Sequence, residues 1–535
     1  MEPISKRRKP LLIEPHSPDY VSIKKTPGLV ANDLSGLSPP GEVSPKPLTS
    51  SFSSTKPSGL PSSFASIRQL SVSCFRTMTP TPQKFPDEAG RLTTVTSSGE
   101  IKILVIKLNE QPWRLGRNNQ ADLTIDKPTV SNWHCKVYAI ECDTGERLVC
   151  LEDVSTNGIR HNGKLIRKKA VILNEGDHIN IADQEFLYSH SAPPGRWQGQ
   201  NASPKQGLPR FRPITLGKYC VTERVLGSGF FSIVHLAINT QTCAQLACKI
   251  VKRPLTTKRS YKEATKFQRV MQQEVELNAS LEHPNINKIV ALKQDSANIY
   301  LFLELVTGGD LFGYVTRNKH LQQDEAKFIF YQLALGLQYM HDVKKISHRD
   351  IKPENILLAH HGPEPRVLIA DFGAARLADK AFCSMQGTMS YAAPEVLTVY
   401  TRQEGYDGKK ADLWSLGVCL FMMLCGFHPF DKGELESRET ERRKMCEVLH
   451  YHVEREEVQF VKSVLKSSCK DEALGYLSSD YAEVRDVLKR LLEEKPFQRI
   501  SAQAVLAHPW IENSKTALEE KYQERVLGQT RRKKE

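Results

Sequence analysis

The residues best suited to chemistry are concentrated in the string Ser-His-Arg-Asp-Ile-Lys-Pro-Glu-Asn at positions 347–355, which Asp-Phe-Gly follows at 371–373. Phosphoryl transfer from ATP needs a carboxylate that orients the accepting hydroxyl, and oxygen ligands that hold Mg²⁺ against the phosphates. Asp350 suits the first role, and Asn355 and Asp371 suit the second. The types and spacing of these residues therefore predict a site for magnesium-dependent phosphoryl transfer.

Both strings stand in the order and spacing of the protein kinase signatures, and this part of the chain resembles that family. Lys352, two residues beyond Asp350, is placed to neutralise the phosphoryl group during transfer. In family terms this lysine favours serine or threonine over tyrosine. The resemblance implies an α+β bilobal kinase domain at 218–511 that binds ATP and Mg²⁺ and phosphorylates proteins.

A nucleotide-binding region precedes these strings. The run Leu-Gly-Ser-Gly-Phe-Phe-Ser-Ile-Val at 226–234 matches a kinase glycine-rich loop, with Ser232 where a third glycine usually stands. Glycines let backbone N–H groups approach phosphates closely. Ala-Cys-Lys at 247–249 resembles the family's lysine motif, so Lys249 should bind phosphates and pair with Glu274, for which Glu276 is the rival. The predicted ATP-binding residues are Leu226, Gly227, Ser228, Gly229, Val234, Ala247, Lys249, Leu303 as gatekeeper, Glu304, Val306 and Leu357.

Residues that control activation and substrate choice follow from the same resemblance. Arg349 should receive a phosphate from the segment between 371 and 395, where Ser384 and Thr388 are the candidates. Asp310 and Glu354 resemble the acidic pair that draws an arginine three residues before the target, so an Arg-x-x-Ser/Thr preference is expected; the alternative for Asp310 is a helix cap. Asp412 should brace the catalytic loop, and Glu395 should pair with Arg499.

A second folded unit precedes the kinase region. Residues 101–106, 135–138, 148–151 and 178–181 are short strand-like segments, and turn clusters separate them. Short strands at regular spacing predict an all-β sandwich of about one hundred residues.

This unit resembles the forkhead-associated (FHA) domain. Gly-Arg at 116–117, Ser-Asn-Trp-His at 131–134 and Ser-Thr-Asn-Gly at 155–158 stand in the family's order. The resemblance implies a phosphothreonine reader, with His134 bracing the loops. A guanidinium and hydroxyls suit a dianionic phosphate. The residues predicted to bind the phosphopeptide are Arg117, Ser131, Asn132, Thr156 and Asn157.

The rest of the chain gives weaker signals. The predicted order is a disordered Ser/Pro-rich tail at 1–92, an FHA domain at 93–190, a linker at 191–217, the kinase domain, and a charged tail at 512–535.

Twelve singly spaced cysteines argue against disulfides and zinc. The net charge of +13 is spread along the chain, so direct nucleic-acid binding is not expected, and the apolar segment 413–427 predicts a core helix and no membrane contact. The basic run at 6–10 resembles a nuclear import signal, and the alternative is a basic terminus that no import receptor binds. The expected location is the nucleus, with a share in the cytoplasm as the alternative.

An FHA domain joined to a kinase of the calmodulin-kinase type resembles the checkpoint kinase 2 family. Within that family the resemblance favours the single-FHA fungal members, including the meiosis-specific checkpoint kinase. Thr240-Gln241 is the only Ser-Gln or Thr-Gln step, which argues against activation through a clustered tail. The resemblance implies phosphothreonine-containing adaptors, self-association during activation, and a role in DNA-damage or meiotic checkpoints. The alternatives are a phosphothreonine-binding scaffold with a pseudokinase domain, and a calmodulin-regulated kinase.

Overall fold

The computed structural model describes residues 87–96, 99–108, 110–142, 144–191, 213–229, 232–253, 276–378, 381–384, 386–399, 405–430, 477 and 481–528. The predicted disordered tail up to residue 86, Glu274, the basic runs at both ends and nearly all of 431–480 lie outside these residues. Within the described part the chain forms a β-sandwich and then a two-lobed α+β domain, as predicted.

Eleven strands of the described residues build the sandwich. One sheet has the order β2-β1-β11-β10-β7-β8, and the other has the order β4-β3-β5-β6-β9. The strands are β1 (Glu88–Val95), β2 (Ile101–Lys107), β3 (Trp113–Gly116), β4 (Leu123–Thr124), β5 (Cys135–Glu141), β6 (Arg147–Asp153), β7 (Ile159–His161), β8 (Lys164–Ile166), β9 (Ala170–Ile172), β10 (His178–Ile181) and β11 (Gln184–His190).

The four segments predicted to be strands lie in β2, β5, β6 and β10. Their inward side chains are buried and fill the space between the sheets, and three of them, Val137, Val149 and Ile179, are at most 1% exposed. The predicted domain boundary at residue 93 is wrong, because it cuts β1, which pairs with β2 and β11 from Glu88 onwards. Strand β1 consists largely of small and polar residues, so its composition resembles that of the preceding tail and does not predict a strand.

The N-terminal lobe of the second domain is an antiparallel sheet with the order β12-β13-β14-β15-β17-β16. The predicted boundary between linker and kinase at 217/218 falls inside the hairpin of β12 and β13, so the folded domain begins earlier. The strands are β12 (Ile214–Leu216), β13 (Tyr219–Gly229), β14 (Ser232–Asn239), β15 (Gln245–Lys252), β16 (Ile289–Gln294) and β17 (Asn298–Glu304).

The C-terminal lobe is mainly helical. The α-helices that lie within its described residues are α1 (Leu311–Asn318), α2 (Gln323–Gln338), α3 (Pro394–Leu397), α4 (Gly408–Cys425), α5 (Ala482–Leu491), α6 (Ala502–Leu506), α7 (Pro509–Glu512) and α8 (Lys515–Arg525). A π-helical turn (Tyr339–Val343) extends α2, and 3₁₀ turns cover Pro353–Asn355, Phe372–Ala374 and Met389–Tyr391. Two short antiparallel pairs join β18 (Ile346–Ser347) to β21 (Arg376–Leu377), and β19 (Ile356–Leu358) to β20 (Val367–Ile369).

Helix α4 is the centre of this lobe and confirms the predicted core helix. The Asp407 side chain caps its N-terminus by accepting from the Lys409 N–H, and Gly426 ends it at φ 81°, a left-handed conformation that favours glycine. Nearly every residue of α4 is buried. Among the described residues, no helix combines the length and the apolar character needed to cross a bilayer.

Two further contacts hold the C-terminal lobe together. Arg499, which is fully buried, donates to both carboxylate oxygens of Glu395 at 2.7 and 3.0 Å, which confirms the predicted bridge. The predicted charged tail at 512–535 is in part a packed element, because α8 buries Leu518 and Tyr522 against α2. The Tyr522 hydroxyl donates to Asn285 Oδ1 at 2.7 Å. The packed domain therefore extends past residue 511.

Candidate catalytic cleft and phosphate-binding loops

The catalytic loop is held from beneath by Asp412 of α4, which is 1% exposed. Its Oδ2 accepts from the His348 N–H at 2.8 Å and lies 2.8 Å from Nε2 of His341, while Oδ1 accepts from the Arg349 N–H at 2.7 Å. Arg349 has φ 69°, a region that costs a non-glycine residue about 1–2 kcal/mol. The buried carboxylate thus fixes a strained turn immediately before Asp350, and the bracing role predicted for Asp412 is confirmed.

Asp350 lies at the centre of a cluster of predicted site residues. Its Oδ1 accepts from both the backbone N–H and the hydroxyl of Thr388, each at 2.9 Å, and its Oδ2 accepts from Asn355 Nδ2 at 2.9 Å. The Lys352 ammonium lies 3.4 Å from that Oδ2 and donates to Thr388 Oγ1 at 2.7 Å. A carboxylate held by these donors is positioned to accept a hydrogen bond from an incoming hydroxyl.

A second cluster joins the lobes through Lys249 of β15 and Asp371. The Lys249 ammonium lies 2.6 Å from Asp371 Oδ1. Burial acts to raise the pKa of Asp371, but the Lys249 ammonium and its hydrogen bond outweigh burial and hold that pKa below its usual value. Glu274, the predicted partner of Lys249, lies outside the described residues, whereas its rival Glu276 is described and exposed.

The proposed magnesium ligands have suitable donor chemistry. Asn355 offers an amide oxygen and Asp371 a carboxylate, and Mg²⁺ prefers such hard oxygen ligands, often completing its shell with substrate phosphates. In the described part of the chain, no cluster of three or more His, Cys, Asp or Glu side chains could hold a metal alone. Two protein ligands would leave most of the octahedral Mg²⁺ shell to water and to the nucleotide phosphates.

The four side chains predicted to enclose adenine are half-buried, unlike the fully buried residues of the neighbouring core. Partial exposure is expected of residues that line an open cleft. Their strands pair with each other, since Val234 faces Lys249 and Ala247 faces the predicted gatekeeper Leu303. The four side chains are Leu226, Val234, Ala247 and Leu357.

The glycine-rich turn and the predicted hinge lie on either side of this cleft. Gly227, Ser228 and Gly229 close the β13–β14 hairpin, whose tip at 230–231 lies outside the described residues. Glu304 ends β17, and its carboxylate pairs with Arg366 at 3.0 Å, so this side chain is engaged by the C-terminal lobe. Val306 follows in the segment that leads to α1.

The activation segment approaches the catalytic loop at two points. The Arg349 guanidinium donates to the Ser384 carbonyl at 3.3 Å and to the Tyr406 hydroxyl at 3.2 Å. Gly387, at φ 90°, allows Thr388 to reach Asp350, because a Cβ there would lie 2.2 Å from the Arg349 carbonyl oxygen. Ser384 is therefore within reach of the arginine predicted to receive its phosphate.

The predicted acidic pair lies near the start of α1. Asp310 Oδ1 accepts from the Gly313 N–H at 2.7 Å, so Asp310 does cap the helix, as the alternative interpretation predicted. Glu354 is different: its Oε2 is buried and has no hydrogen-bond partner among the described residues, and burial raises the pKa of this carboxyl. An unpartnered buried carboxylate is costly, and a cation would relieve that cost.

Three loops meet at one end of the sandwich and bring the predicted phosphopeptide residues together. The Arg117 N–H donates to the Ser131 carbonyl at 2.9 Å, and the Thr156 N–H donates to Ser131 Oγ at 3.2 Å. Asn132 lies beside them, and its carbonyl oxygen would be 2.1 Å from a Cβ on Gly116, so the glycine permits the close approach. The side chains of Arg117, Asn132 and Thr156 are exposed.

His134 braces these loops from inside the sandwich, as predicted. Its Nδ1 accepts from the Ser131 N–H at 3.0 Å, so the neutral ring carries its proton on Nε2, which donates to the Gly158 carbonyl at 3.2 Å. Burial lowers the pKa of His134 and keeps the ring neutral. Asn157 donates through Nδ2 to the Thr129 carbonyl at 2.7 Å, so its amide is already part of the loop bracing.

Comparisons with known proteins agree with both sites. Residues 220–511, more than half of the chain, match the protein kinase domain, and residues 113–182 match the FHA domain. The chain is 31% identical to the meiosis-specific serine/threonine-protein kinase mek1 of Schizosaccharomyces pombe, over 83% of this chain and 92% of that protein.

The chain belongs to the FHA-containing serine/threonine protein kinases of the checkpoint kinase 2 type.

Other relatives and one solved structure match this chain over different shares of their lengths. The serine/threonine-protein kinase cds1 of S. pombe is 29% identical, over 74% of this chain and 81% of that protein. The chain spans 65% of the probable serine/threonine-protein kinase fhkC of Dictyostelium discoideum, at 32% identity over 79% of this chain. A solved structure of Rad53 residues 1–466 with AMP-PNP is 25% identical, covers 79% of this chain and all of that chain, and has a TM-score of 0.39.

Sequence reasoning missed one group of residues in this FHA kinase. Tyr138 of the FHA domain is 2% exposed, and its hydroxyl lies 3.1 Å from the hydroxyl of Thr307 in the kinase domain. A signal for it existed: Leu148–Leu151 in β6 is apolar at every position. Strands with apolar residues on both faces are usually covered on both sides.

Proposed function

We propose that this protein reads a phosphothreonine on an adaptor through its FHA domain and phosphorylates serine or threonine in checkpoint signalling, in the nucleus. The observation that carries the catalytic part is the cluster around Asp350, which Asn355, Thr388 and Lys352 contact, together with the Lys249–Asp371 pair. The checkpoint role is supported by the names of mek1 and of the DNA damage response protein kinase DUN1 of Saccharomyces cerevisiae.

In the proposed mechanism, Asp350 orients the substrate hydroxyl and accepts its hydrogen bond, while Lys352 compensates the charge of the phosphoryl group during transfer. Lys249 holds the nucleotide phosphates. Asn355 and Asp371 would hold Mg²⁺, which supplies charge neutralisation at the phosphates when it is bound. In this structure the Thr388 hydroxyl donates to Asp350 Oδ1, so it lies where the hydroxyl of a substrate would approach.

The substrate preference in this proposal is Arg-x-x-Ser/Thr. Glu354 supports it, since its buried Oε2 has no partner among the described residues, and a substrate guanidinium would supply one. Burial, with the negative charge of Asp310 as a lesser contribution, raises the pKa of the Glu354 carboxyl, and a substrate guanidinium would offset both effects.

Activation in this proposal begins with phosphorylation of Ser384. The Arg349 guanidinium already reaches the Ser384 backbone, so a phosphate on this residue would add a charge-assisted bond and order the segment. FHA binding to a shared adaptor would bring two kinase copies together, and tethering raises the effective concentration for phosphorylation in trans.

Two assays on the full-length protein test the proposal. Serine/threonine peptides with ATP should be phosphorylated by the wild type only when Mg²⁺ is present, and not by Asp350→Ala. The same Asp350→Ala protein should select phosphothreonine sequences from a peptide library. Absence of magnesium-dependent transfer would leave a phosphothreonine-binding scaffold, and absence of selection would refute the reader.

A further inference from the structure

The outer face of the second FHA sheet is apolar and almost completely buried. On β5, β6 and β9, the side chains of one face are Tyr138, Ile140, Leu148, Cys150 and Ile172, and none exceeds 6% exposure. Side chains alternate along a strand, so these residues point away from the sandwich core that Val137 and Val149 fill. Their burial must come from another part of the protein.

The covering surface is the kinase domain beside its nucleotide cleft. Leu236 of β14 is fully buried within the same apolar cluster, and Leu226 and Leu305 pack against it. Leu226 is predicted to cover adenine, and Leu305 lies in the predicted hinge between Glu304 and Val306. The FHA sheet therefore contacts the mouth of the nucleotide cleft.

Polar contacts fix the docking on the N-terminal lobe. Arg224 of β13 donates to the Leu173 and Arg147 carbonyls at 2.9 and 3.1 Å, and its Nε lies 3.3 Å from a carboxylate oxygen of Glu146. The Gln245 side chain bonds both backbone groups of Ile172, accepting from its N–H and donating to its carbonyl, each at 2.8 Å. Such paired bonds specify one position of the sheet.

Other contacts lie beyond the hinge. Besides the bond between the Tyr138 and Thr307 hydroxyls, Cys150 Sγ lies 3.8 Å from the Thr307 carbonyl oxygen. The Tyr138 ring lies 5.0 Å from the ring of His361, in the loop between β19 and β20. One FHA face thus holds β13–β15 on one side of the cleft and residues of the C-terminal lobe on the other.

We propose that this docked sheet is a clamp that slows nucleotide exchange, with Tyr138 and Ile140 acting as positioning residues of the kinase cleft. Nucleotide leaves a kinase cleft when the two lobes move apart about the hinge. The clamp contacts both sides of that hinge, so opening must break bonds to Arg224 and Gln245 or to Thr307. This inference rests on the assignment of the cleft as the nucleotide site.

Docking and phosphothreonine reading are compatible. The side chains of Arg117, Asn132 and Thr156 remain exposed at the loop end of the sandwich while the sheet face is buried. Phosphopeptide affinity can therefore serve as an independent measure of FHA folding in variants of the clamp.

The test is the dissociation rate of N-methylanthraniloyl ADP, measured by stopped flow with excess unlabelled ATP on the full-length protein. Ile140→Glu puts a charge into the apolar face, and Arg224→Ala removes the Arg224 bonds to the Leu173 and Arg147 carbonyls and its contact with Glu146. Each should accelerate release by about fivefold or more, as expected for the loss of one or two buried contacts. Tyr138→Phe, which removes one hydroxyl, should give a smaller increase.

The matched control is Ile103→Glu, which introduces the same charge at an exposed position of β2 in the other sheet. It should leave the release rate at the wild-type value. Phosphopeptide affinity should be unchanged in Ile140→Glu, which separates release of the clamp from unfolding of the FHA domain.

Equal release rates in the wild type, Ile140→Glu and Arg224→Ala would overturn the clamp while leaving the nucleotide site intact. If the wild type failed to bind the labelled ADP at all, the nucleotide-site assignment itself would fall, and the clamp with it.

Discussion

The catalytic cleft and the phosphate-binding loops prepare for their ligands in opposite ways. In the cleft, functional side chains contact one another: Lys249 pairs with Asp371, and Lys352 lies beside Asp350. In the loops, backbone hydrogen bonds and the His134 ring fix the loop conformation, while the Arg117 side chain is exposed. The cleft balances its own charges, whereas the loops present a cation to an anion that must come from outside.

This difference predicts different responses to mutation. Removing one member of a charge-balanced cluster leaves its partner uncompensated as well as removing a catalytic group. Removing an exposed side chain from a braced loop should cost ligand affinity and little stability.

Asp350→Ala should lower kcat by about a thousandfold, because general acid–base groups typically contribute 10²–10⁴ to the rate. Peptide phosphorylation under saturating ATP measures the loss. Phosphopeptide affinity at the FHA domain is the control and should not change. A variant that retained more than a tenth of the wild-type rate would contradict the role of Asp350.

Arg117→Ala should weaken phosphopeptide binding by about a hundredfold, since a charge-assisted hydrogen bond contributes about 1.5–3 kcal/mol. Isothermal titration with the selected phosphothreonine peptide measures the change. The matched control is Lys102→Ala, which removes an exposed cation that lies on β2. Unchanged affinity in Arg117→Ala, or equal loss in both variants, would refute the pocket.

Asp310→Asn and Glu354→Gln should each reduce the preference for arginine at the third position before the target by about tenfold, or about 1.4 kcal/mol. Asparagine also caps helices well, so Asp310→Asn removes the charge and keeps the start of α1. The ratio of kcat/KM for matched Arg-x-x-Ser and Ala-x-x-Ser peptides is the measurement. A ratio that stays at the wild-type value in both variants would contradict the acidic pair.

The smallest effect concerns acid stability of the kinase domain. Burial lowers the pKa of His428 to about 4, so the unfolded chain, with a histidine pKa near 6.5, binds the proton first as the pH falls. The stability that the neutral His428 ring contributes to the folded state is therefore fully present above pH 6.5, and it is lost progressively as the pH falls towards 4. Between pH 7 and 5.5 the free energy of unfolding should fall by about 1 kcal/mol from this residue.

Urea unfolding of the wild type and of His428→Gln measures this effect. The glutamine variant should depend less on pH over that interval. Identical pH profiles of the two proteins would show that His428 titrates normally in the folded state.

Much of both sites was predictable because their chemistry depends on local strings. Asp350, Asn355 and Asp371 are identified by fixed spacing, and the buried strands by short apolar segments. The FHA boundary was harder, since β1 contains Gly, Arg and Thr and resembles the tail before it. Its strand character arises from pairing with β2 and β11, which lie far along the chain.

The docked face could not be assigned from local patterns alone. Apolar residues on both faces of β5 and β6 indicate that something covers the outer face, but they do not say what. The partner depends on Leu236, Gln245 and Thr307, which come from separate kinase elements. In the same way, the contacts of Asp412 depend on the position of α4 beneath His348 and Arg349, which lie more than sixty residues earlier in the chain.

In the proposed function, the FHA loops and the catalytic cleft act together in one signalling event. The most direct measurement is the rate of phosphate incorporation at Ser384, followed by mass spectrometry in dilute full-length protein, with and without a peptide that carries two copies of the selected phosphothreonine sequence. The bivalent peptide should accelerate incorporation by about a hundredfold in the wild type, because tethering replaces a bimolecular encounter. Arg117→Ala should show no acceleration. Equal rates with and without the peptide in the wild type would contradict the account.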